Sequence, residues 1–382
     1  MRLMIVEPVL AHYRVALFEK LAGIRDIDVS VCASRTFPGA PDSVIDPPPW
    51  ADLNHECLGL MGGRLQWQRG LRLPRAFGRG DVLVVDNNPR ILSNFPLVSR
   101  AFASGAGVVL WGHGWSPTST PSRARIRYWL MNRADVLMVY TEKEVRDLRE
   151  QRHWSPHIFA TNNALDQRPI ASAAAVQTSE SLLRFRRDHG LANKRIILFC
   201  GRLRRYPSTG LDVAIKSLIH LDQQFQLVII GRGDAEQELR DLSRALGVSD
   251  RILWIGELYG EPQLAPWFLN AECFVYPGSI GLSVLHAFGY GVPVITHDQR
   301  RLHNPEIDAL IDGENGLLFP LGDPQALARQ INFLASDSQR RARMGRAAQT
   351  TVKSMFTIDG MAARFEAAVR LASTIARKRR GV

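Results

Sequence analysis

Short apolar runs rich in β-branched residues alternate along this chain with segments whose apolar residues recur at helical spacing. In the first part, the apolar runs predict strands at residues 3–6, 27–32, 81–86, 108–111, 136–140 and 158–161. Helical spacing predicts helices at 12–22 and 123–133, and the Pro-rich segment 37–50 predicts an irregular loop. Strands that alternate with helices are typical of a parallel α/β sheet.

The alternation restarts after the Ala/Ser/Thr-rich segment 167–181, whose weak pattern predicts a domain junction. Strands are then predicted at 196–200, 227–230, 251–255, 273–276, 292–296 and 316–319, and helices at 211–221, 234–246, 261–269, 281–290, 324–334, 339–351 and 361–375. We therefore predict an α/β protein with two doubly wound Rossmann-like domains, at 1–170 and 171–355, and a C-terminal helix with a basic tail at 356–382. The carboxyl ends of the two sheets would face a central cleft.

Residues 276–298 have the pattern of strand, turn, helix, turn and strand. Pro277, Gly278 and Ser279 predict the first turn, and the helix would begin near Gly281. The N-terminus of such a helix offers unpaired N–H groups and the positive end of a dipole, which favour a phosphate. The alternative is an ordinary crossover in a parallel sheet that binds nothing.

The composition is that of a soluble globular protein, with 382 residues, 46% hydrophobic and 22% charged. No apolar run is long enough to span a bilayer. The N-terminal apolar run lacks a small-residue cleavage site, so it predicts a first strand and not a signal peptide. The four cysteines show no metal-ligand spacing and predict buried thiols in a reducing cytosol, with no metal site.

The formal net charge is +11, and the arginines cluster. Segment 64–79 holds five arginines and no acid, segment 123–133 holds four and no acid, and the chain closes on the basic run 377–380. Aromatic and aliphatic residues lie between these arginines, a pattern that suits an anionic membrane surface. Nucleic acid and a solvated basic face are the alternatives; we favour the membrane surface.

The glycine pattern argues against a dinucleotide cofactor. Gly231-Arg232-Gly233 follows a predicted strand and opens a predicted helix, but a dinucleotide fingerprint needs a third glycine where Glu236 stands. The first strand-to-helix turn, 7–12, has no glycine. The sequence also lacks the phosphate-loop, G-x-S-x-G, His-Glu-x-x-His and kinase signatures. No cofactor is therefore expected.

His113 and Arg202 are candidate ligand contacts because each follows a predicted strand. His113 lies between two glycines, which let a ligand approach the backbone, and between Trp111 and Trp115, whose rings suit the apolar face of a sugar. A structural histidine bonded to the backbone is the alternative. The guanidinium of Arg202 could clamp a phosphate, although Gly-Arg-Leu is by itself a common tripeptide.

Taken together and in order, these segments resemble the retaining GT-B-fold glycosyltransferases that use nucleotide-sugar donors, in particular the family 4-like bacterial enzymes of lipopolysaccharide, capsule and exopolysaccharide synthesis. The resemblance covers nearly the whole chain, and it depends on the order and spacing of several short motifs. These are Tyr13-Arg14-Val15 with Leu17-Phe18-Glu19, Trp111-Gly112-His113-Gly114, Asn163-Ala164-Leu165-Asp166, Gly201-Arg202-Leu203, Val228-Ile229-Ile230-Gly231 with Gly233, and residues 277–296.

The resemblance implies a nucleotide-sugar site in the second domain and an acceptor site in the first, with the C-terminal helix crossing back to the first domain. Arg202 and the helix start at 281–283 would hold the donor diphosphate, and His113 would be catalytic, reaching the donor sugar and stabilising developing charge. The implied donor set is Arg202, Arg205, Gly231, Gly233, Leu258, Tyr259, Gly278, Ser279, Gly281, Leu282, Ser283 and His286. The implied acceptor set is His12, Tyr13, Arg14 and Trp115.

The sequence departs from the family pattern at three positions. Two glutamates with seven residues between them are usual where Gly278 and His286 stand, and a lysine is usual where Thr209 stands. His286 could still hydrogen-bond a ribose hydroxyl, and Arg204 or Arg205 could supply the missing charge, whereas Gly278 cannot replace a side-chain contact. We interpret the changes as a variant donor site.

The resulting hypothesis is a metal-independent, hexosyltransferase-type enzyme without a cofactor. It would move a sugar, with retention, from a UDP- or GDP-linked donor to a lipid-linked saccharide at the cytoplasmic face of the cell membrane. One alternative is an inactive GT-B homologue that serves as a partner or scaffold in polysaccharide assembly. A second is a nucleotide-sugar 2-epimerase, against which the loss of both glutamates argues.

Overall fold

The computed structural model describes residues 1–38, 43–114, 121–151, 157–205 and 209–379. The chain divides into two compact units. The first unit combines Met1–Asn163 with Ile358–Val382, and the second is Ala164–Thr357. None of the described helices is long and apolar enough to cross a membrane.

The first unit contains the six strands that the apolar runs predict and three further strands, between residues 51 and 68, that they do not. The strands are β1 (Arg2–Val9), β2 (Asp28–Ser34), β3 (Ala51–His55), β4 (Cys57–Leu60), β5 (Leu65–Gln68), β6 (Val82–Asp86), β7 (Gly107–Trp111), β8 (Val136–Val139) and β9 (His157–Ala160). Seven of them form a parallel sheet in the order β3-β2-β1-β6-β7-β8-β9, and β4 and β5 form an antiparallel hairpin.

The helices of the first unit are α1 (His12–Ala22), α2 (Asn94–Ala103), α3 (Pro121–Met131), α4 (Glu142–Gln151) and, from the end of the chain, α13 (Ile358–Lys378). Helix α13 packs on the middle of the sheet. Its Phe365 is fully buried and meets Trp111 of β7 edge to face, with ring centroids 5.1 Å apart. Such contacts between buried aromatic rings stabilise the docking of the helix on the sheet.

The second unit repeats the same architecture. Its strands are β10 (Arg195–Cys200), β11 (Phe225–Ile230), β12 (Ile252–Gly256), β13 (Ala271–Val275), β14 (Val294–His297) and β15 (Gly316–Phe319). They form a parallel sheet in the order β12-β11-β10-β13-β14-β15. The helices are α5 (Gln167–Ala175), α6 (Ser179–Asp188), α7 (Leu211–Ser217), α8 (Glu236–Ala245), α9 (Glu261–Leu269), α10 (Ser283–Gly289), α11 (Pro324–Ala335) and α12 (Ser338–Ser354).

Both sheets reverse their strand order at a corresponding place. In the first unit the reversal lies between β1 and β6, and in the second it lies between β10 and β13. Open parallel sheets bind ligands in the crevice outside the carboxyl ends of the strands at such a reversal point. The fold therefore provides two candidate ligand positions, one in each unit.

The unit boundary differs from the predicted junction. Residues 167–181, near which the weak sequence pattern predicts the junction, form α5 and the start of α6 in the second unit. The side chain of Asp166 accepts a hydrogen bond from the N–H of Arg168 at 3.0 Å and so caps α5, and Ile170 is buried in the core. Because alanines dilute the apolar stripe of α5, the sequence pattern did not reveal an amphipathic helix there.

Candidate functional site

The second unit aligns the predicted donor residues along one edge of its sheet, because all its strands are parallel. Arg202 follows β10, Gly231 and Gly233 follow β11, Leu258 and Tyr259 follow β12, and residues 278–283 follow β13. Arg202 and residues 278–283 lie on the two sides of the reversal point. These two groups are therefore the best placed of the set to share one ligand.

Arg202 and Arg205 differ in their partners. The side chain of Arg202 is exposed, and no hydrogen bond or ion pair to it occurs within the part of the chain that the structure describes. The guanidinium of Arg205 lies 3.2 Å from a carboxylate oxygen of Glu238, with both side chains largely exposed. Arg202 can bind an anion directly, whereas Arg205 would first have to leave Glu238.

The turn between β13 and α10 is held by a histidine. The N–H of Ile280 donates to Nδ1 of His303 at 3.2 Å, and Nε2 of His303 lies 2.9 Å from the carbonyl oxygen of His297. Nε2 must carry the proton, because a carbonyl only accepts, and Nδ1 is then the acceptor. Burial lowers the pKa of His303 to about 4, although the hydrogen bond to the carbonyl of His297 offsets part of the shift, so the ring stays neutral at pH 7.

Helix α10 begins later than the sequence predicts. It starts at Ser283 instead of Gly281 and has seven residues, so its dipole is smaller than that of the predicted ten-residue helix. Across the described residues, no acceptor is found for the N–H groups of Gly281, Leu282 and Ser283. These backbone donors, more than the helix dipole, are what this turn can offer to an anion.

His286, which replaces an expected glutamate, has a glutamate as its neighbour. Its Nε2 lies 3.0 Å from Oε2 of Glu261, and the hydroxyl of Tyr290 donates to the same oxygen at 2.6 Å. The side chains of His286 and Glu261 are only 15% and 21% exposed. The sequence analysis missed Glu261, because nothing in a span of 25 residues indicates that the start of α9 packs beside α10.

Gly231 and Gly233 are required by the packing of the backbone. A Cβ atom at Gly231 would lie 2.0 Å from the carbonyl oxygen of Gly201, and one at Gly233 would lie 2.0 Å from that of Leu203. No larger residue fits at either position, whether or not a ligand binds. These glycines therefore do not by themselves indicate a donor site.

Leu258 and Tyr259 follow the edge strand β12. Leu258 is half-buried against the core, and Tyr259 is 77% exposed, with its hydroxyl donating to Glu257 at 2.8 Å. An exposed ring on a sheet edge is free to stack on a planar ligand. Both residues stay candidates for contact with a nucleotide base.

In the first unit, Arg14 is the centre of the corresponding edge. The side chain is buried at the start of α1 and donates from Nη1 to Oδ1 of Asn163 at 2.7 Å. Its guanidinium carbon lies 4.3 Å from the ring centroid of Trp111 and 5.6 Å from that of Tyr140. His113 meets Tyr140 edge to face, at 4.8 Å between centroids. The structure thus brings Arg14 and His113 together around one tyrosine.

His113 is neutral at physiological pH. The residue is exposed at the surface, yet neighbouring atoms shield its ring from water. This desolvation, followed by the positive charges of Arg127 and Arg14, lowers its pKa to about 4. A neutral imidazole can donate or accept a hydrogen bond but offers no fixed charge. The expected stabilisation of charge by His113 would therefore have to come through a hydrogen bond.

The other predicted acceptor residues are less informative. His12 is exposed and Tyr13 is half-buried, with their rings edge to face at 5.7 Å. Both lie at the start of α1, on the same turn as Arg14. Trp115 lies outside the described residues.

Two acids that the sequence analysis did not assign, Glu7 of β1 and Asp86 of β6, lie at the reversal point of the first sheet. Burial raises the pKa of Glu7 to about 8 and that of Asp86 to about 6, and nearby arginines offset part of each shift. The sequence does carry one signal for these two residues, because at each position an acid follows directly after an apolar, strand-like run. Functional sites often hold carboxyl groups with such shifted pKa values.

Comparison with known proteins finds a family match within the second unit. Residues 183–351 match the family model described as glycosyl transferases group 1. The chain is 31% identical over 189 residues to the D-inositol 3-phosphate glycosyltransferase of Xylanimonas cellulosilytica, which covers 47% of this chain and 42% of that protein. It is 26% identical over 169 residues to the lipopolysaccharide core biosynthesis glycosyltransferase LpsE of Rhizobium meliloti, covering 44% and 47% of the two chains. These matches span less than half the length of either relative.

Structural similarity extends further than sequence similarity. The crystal structure of Anabaena Alr3699/HepE in complex with UDP superimposes with a TM-score of 0.71 at 16% identity, covering 96% of this chain and 99% of that one. With two Rossmann-like units built on parallel sheets, the predicted fold class is confirmed. The chain therefore has the GT-B fold, and the segment that holds Arg202, the turn at 277–282 and His286 is the one that matches the glycosyl transferases group 1 family.

Proposed function

We propose that this chain is a glycosyltransferase that moves a sugar from a UDP- or GDP-linked donor to a lipid-linked saccharide acceptor in cell-surface polysaccharide synthesis. One observation carries the proposal. At the reversal point of the second sheet, the exposed Arg202 lies on the same sheet edge as a turn whose N–H groups at 281–283 have no acceptor among the described residues. Both lie within the segment that matches the glycosyl transferases group 1 family. Such donors suit a diphosphate.

The donor site would act by electrostatic stabilisation. As the bond between the sugar and the nucleotide breaks, negative charge grows on the diphosphate, and Arg202 and the N–H groups of the turn would stabilise it. These groups supply positive charge without a divalent cation, so we propose a metal-independent reaction. UDP is supported as one donor nucleotide by the UDP complex of Anabaena HepE. Retention of anomeric configuration is proposed from the fold analogy alone.

The acceptor would be held at a membrane by the first unit. Met61, at the tip of the β4–β5 hairpin, is 74% exposed, and Trp67 is exposed as well. The exposed Arg64 and Arg69 are close to them in the sequence. Apolar side chains flanked by arginines suit an anionic lipid surface. The LpsE relative, named for lipopolysaccharide core synthesis, supports a saccharide acceptor of the cell surface. We therefore propose peripheral attachment to the inner face of the cell membrane.

Helix α3 and the C-terminal run contribute unequally to this surface. Ile126 and Trp129 of α3 are about half exposed, and the guanidinium of Arg133 lies 3.6 Å from the Trp129 ring centroid. Arg379, in contrast, pairs with Asp135 inside the first unit. Part of the C-terminal charge is therefore used internally and is not available to lipid.

Calorimetric titration with UDP and GDP, followed by turnover of the matching nucleotide sugars, tests the proposal. We expect one nucleotide to bind and its sugar conjugate to be hydrolysed slowly in water and transferred in the presence of membrane glycolipids. Failure of both nucleotides to bind would overturn the proposal. Binding without turnover of any nucleotide sugar would favour the inactive homologue, and conversion of the free donor at C2 would favour the epimerase.

A further inference from the structure

Two carboxyl groups stand side by side at the reversal point of the first sheet. The parallel register pairs Val6 of β1 with Val85 of β6, so Glu7 and Asp86 are the next residues on adjacent strands. Backbones of neighbouring strands are about 4.8 Å apart. The two groups also interact electrostatically, since the charge of Asp86 contributes to the raised pKa of Glu7.

Groups of both signs surround the acid pair. Arg14 of α1 and Arg127 of α3 interact with the charge of Asp86. Next to Asp86, Asn87 is only 2% exposed; its Nδ2 donates to the carbonyl of His113 at 3.2 Å, while its buried Oδ1 has no hydrogen-bond partner among the described residues. A buried, unpaired polar oxygen is costly unless a ligand or water satisfies it. This edge of the sheet therefore offers an unpaired acceptor, Oδ1 of Asn87, to a ligand or a water molecule.

The charges select the class of ligand. An anion would meet Asp86, and a cation would meet Arg14 and Arg127, so neither gains a clear advantage. At pH 7 a carboxyl group with a pKa of about 8 keeps its proton and one with a pKa of about 6 has lost it, and the pair then offers one donor and one acceptor. A neutral hydroxyl group, which both donates and accepts, matches this arrangement.

Aromatic rings at the same edge complete the site. Tyr13 and Tyr140 are half-buried, and both rings lie within 5.6 Å of the guanidinium carbon of Arg14. Aromatic rings give a sugar an apolar surface, while carboxyl groups bind its hydroxyls. We propose that Glu7 and Asp86 bind a hydroxyl group of the saccharide acceptor, as acceptor-positioning residues that no motif of the sequence indicates; this inference rests on the proposed function.

The direct test is an NMR titration of the Glu7 side-chain carboxyl in protein labelled with carbon-13 at glutamate Cδ, with the signal assigned by its loss in Glu7→Gln. The probes are the methyl glycosides of D-glucose, D-mannose and D-galactose, added up to about 10 mM, well above the millimolar dissociation constants of weak ligands. A hydroxyl that accepts a hydrogen bond from protonated Glu7 stabilises the neutral form of that carboxyl group. We therefore expect at least one glycoside to move the signal saturably and to raise the pKa of Glu7 by about one unit.

Two variants make the result specific. Asp86→Asn should reduce the affinity for the glycoside, measured by the response of the Glu7 signal, at least fivefold. A loss of this size corresponds to about one hydrogen bond. Glu19→Gln, at an exposed position of α1, should leave the response as in the wild type. If no glycoside moves the Glu7 signal, or if Asp86→Asn responds like Glu19→Gln, the inference is overturned. Calorimetry with UDP and GDP on the same sample separates this failure from failure of the proposed function, because only the latter abolishes nucleotide binding.

Discussion

Glu261 and His286 lie on different helices, α9 and α10, and are joined by a contact of 3.0 Å between Oε2 and Nε2. The carboxylate only accepts, so Nε2 of His286 carries a proton, and in the tautomer protonated at that atom alone Nδ1 is an acceptor. A ribose hydroxyl could donate to that nitrogen. In that tautomer His286, oriented by Glu261, would offer an acceptor at this position, as a glutamate does.

Glu261→Gln is expected to weaken nucleotide binding. The amide can no longer fix the tautomer of His286, and we expect the dissociation constant for UDP or GDP to rise roughly tenfold, equivalent to about 1.4 kcal/mol. Isothermal calorimetry at pH 7 measures the change. An affinity within twofold of the wild type would show that the pair is structural only.

Tyr290→Phe is the matched control for this experiment. It removes the hydroxyl that donates to Glu261 at 2.6 Å and leaves His286 in place. We expect a loss of stability of about 1 kcal/mol, as for a typical hydrogen bond, with little change in nucleotide affinity. Equal losses of affinity in both variants would attribute the effect to disturbed packing between α9 and α10.

Arg202→Gln should weaken nucleotide binding more than any other single arginine change at this sheet edge. A hydrogen bond to a charged group contributes about 1.5–3 kcal/mol, so the dissociation constant should rise roughly tenfold to a hundredfold. Arg205→Gln is the control, because its guanidinium is exposed and already lies 3.2 Å from Glu238. Similar affinities for the two variants would remove Arg202 from the donor site.

The sequence predicted the architecture better than the site. Apolar runs and helical spacing suffice for two parallel α/β sheets, because buried strands and amphipathic helices leave a periodic signal. The order and spacing of motifs also placed Arg202 and residues 278–283 on one edge. The pairing of Glu261 with His286 and of Glu7 with Asp86 could not be predicted, because each depends on which elements are neighbours in space.

Neutralising the arginines that follow the β4–β5 hairpin should release the protein from anionic vesicles. Each arginine near such a surface contributes about 1 kcal/mol, so Arg69→Gln, Arg72→Gln and Arg75→Gln together should weaken binding on the order of a hundredfold. Sedimentation with vesicles containing phosphatidylglycerol measures the bound fraction. Full binding of this triple variant would contradict the proposed membrane surface.

A charge-matched control for the vesicle experiment is available in the second unit. Arg301, Arg343 and Arg346 are exposed there, and their replacement by glutamine lowers the net charge of +11 by the same three units. If binding depends on the local surface, this variant should sediment like the wild type. Equal release of both variants would mean that only the overall charge matters.

The last prediction concerns acid stability and the turn between β13 and α10. The pKa of His303 is lowered from 6.5 to about 4 in the folded protein, so the unfolded chain binds its proton first as the pH falls. The stability due to neutral His303 is complete above pH 6.5 and is lost as the pH falls from 6.5 towards 4. The wild type should lose on the order of 1–3 kcal/mol more than a non-titrating variant over this range.

Two variants of His303 separate titration from hydrogen bonding. The amide oxygen of His303→Asn can take the place of Nδ1 as acceptor for Ile280, whereas His303→Gln places its amide nearer the position of Nε2. Both should flatten the dependence of stability on pH in urea titrations between pH 7 and 4.5. Only His303→Asn should keep nucleotide affinity near the wild type, because only it holds the N–H of Ile280 and with it the turn that follows β13. If the curves of stability against pH run parallel for the wild type and both variants, protonation of His303 does not control this turn.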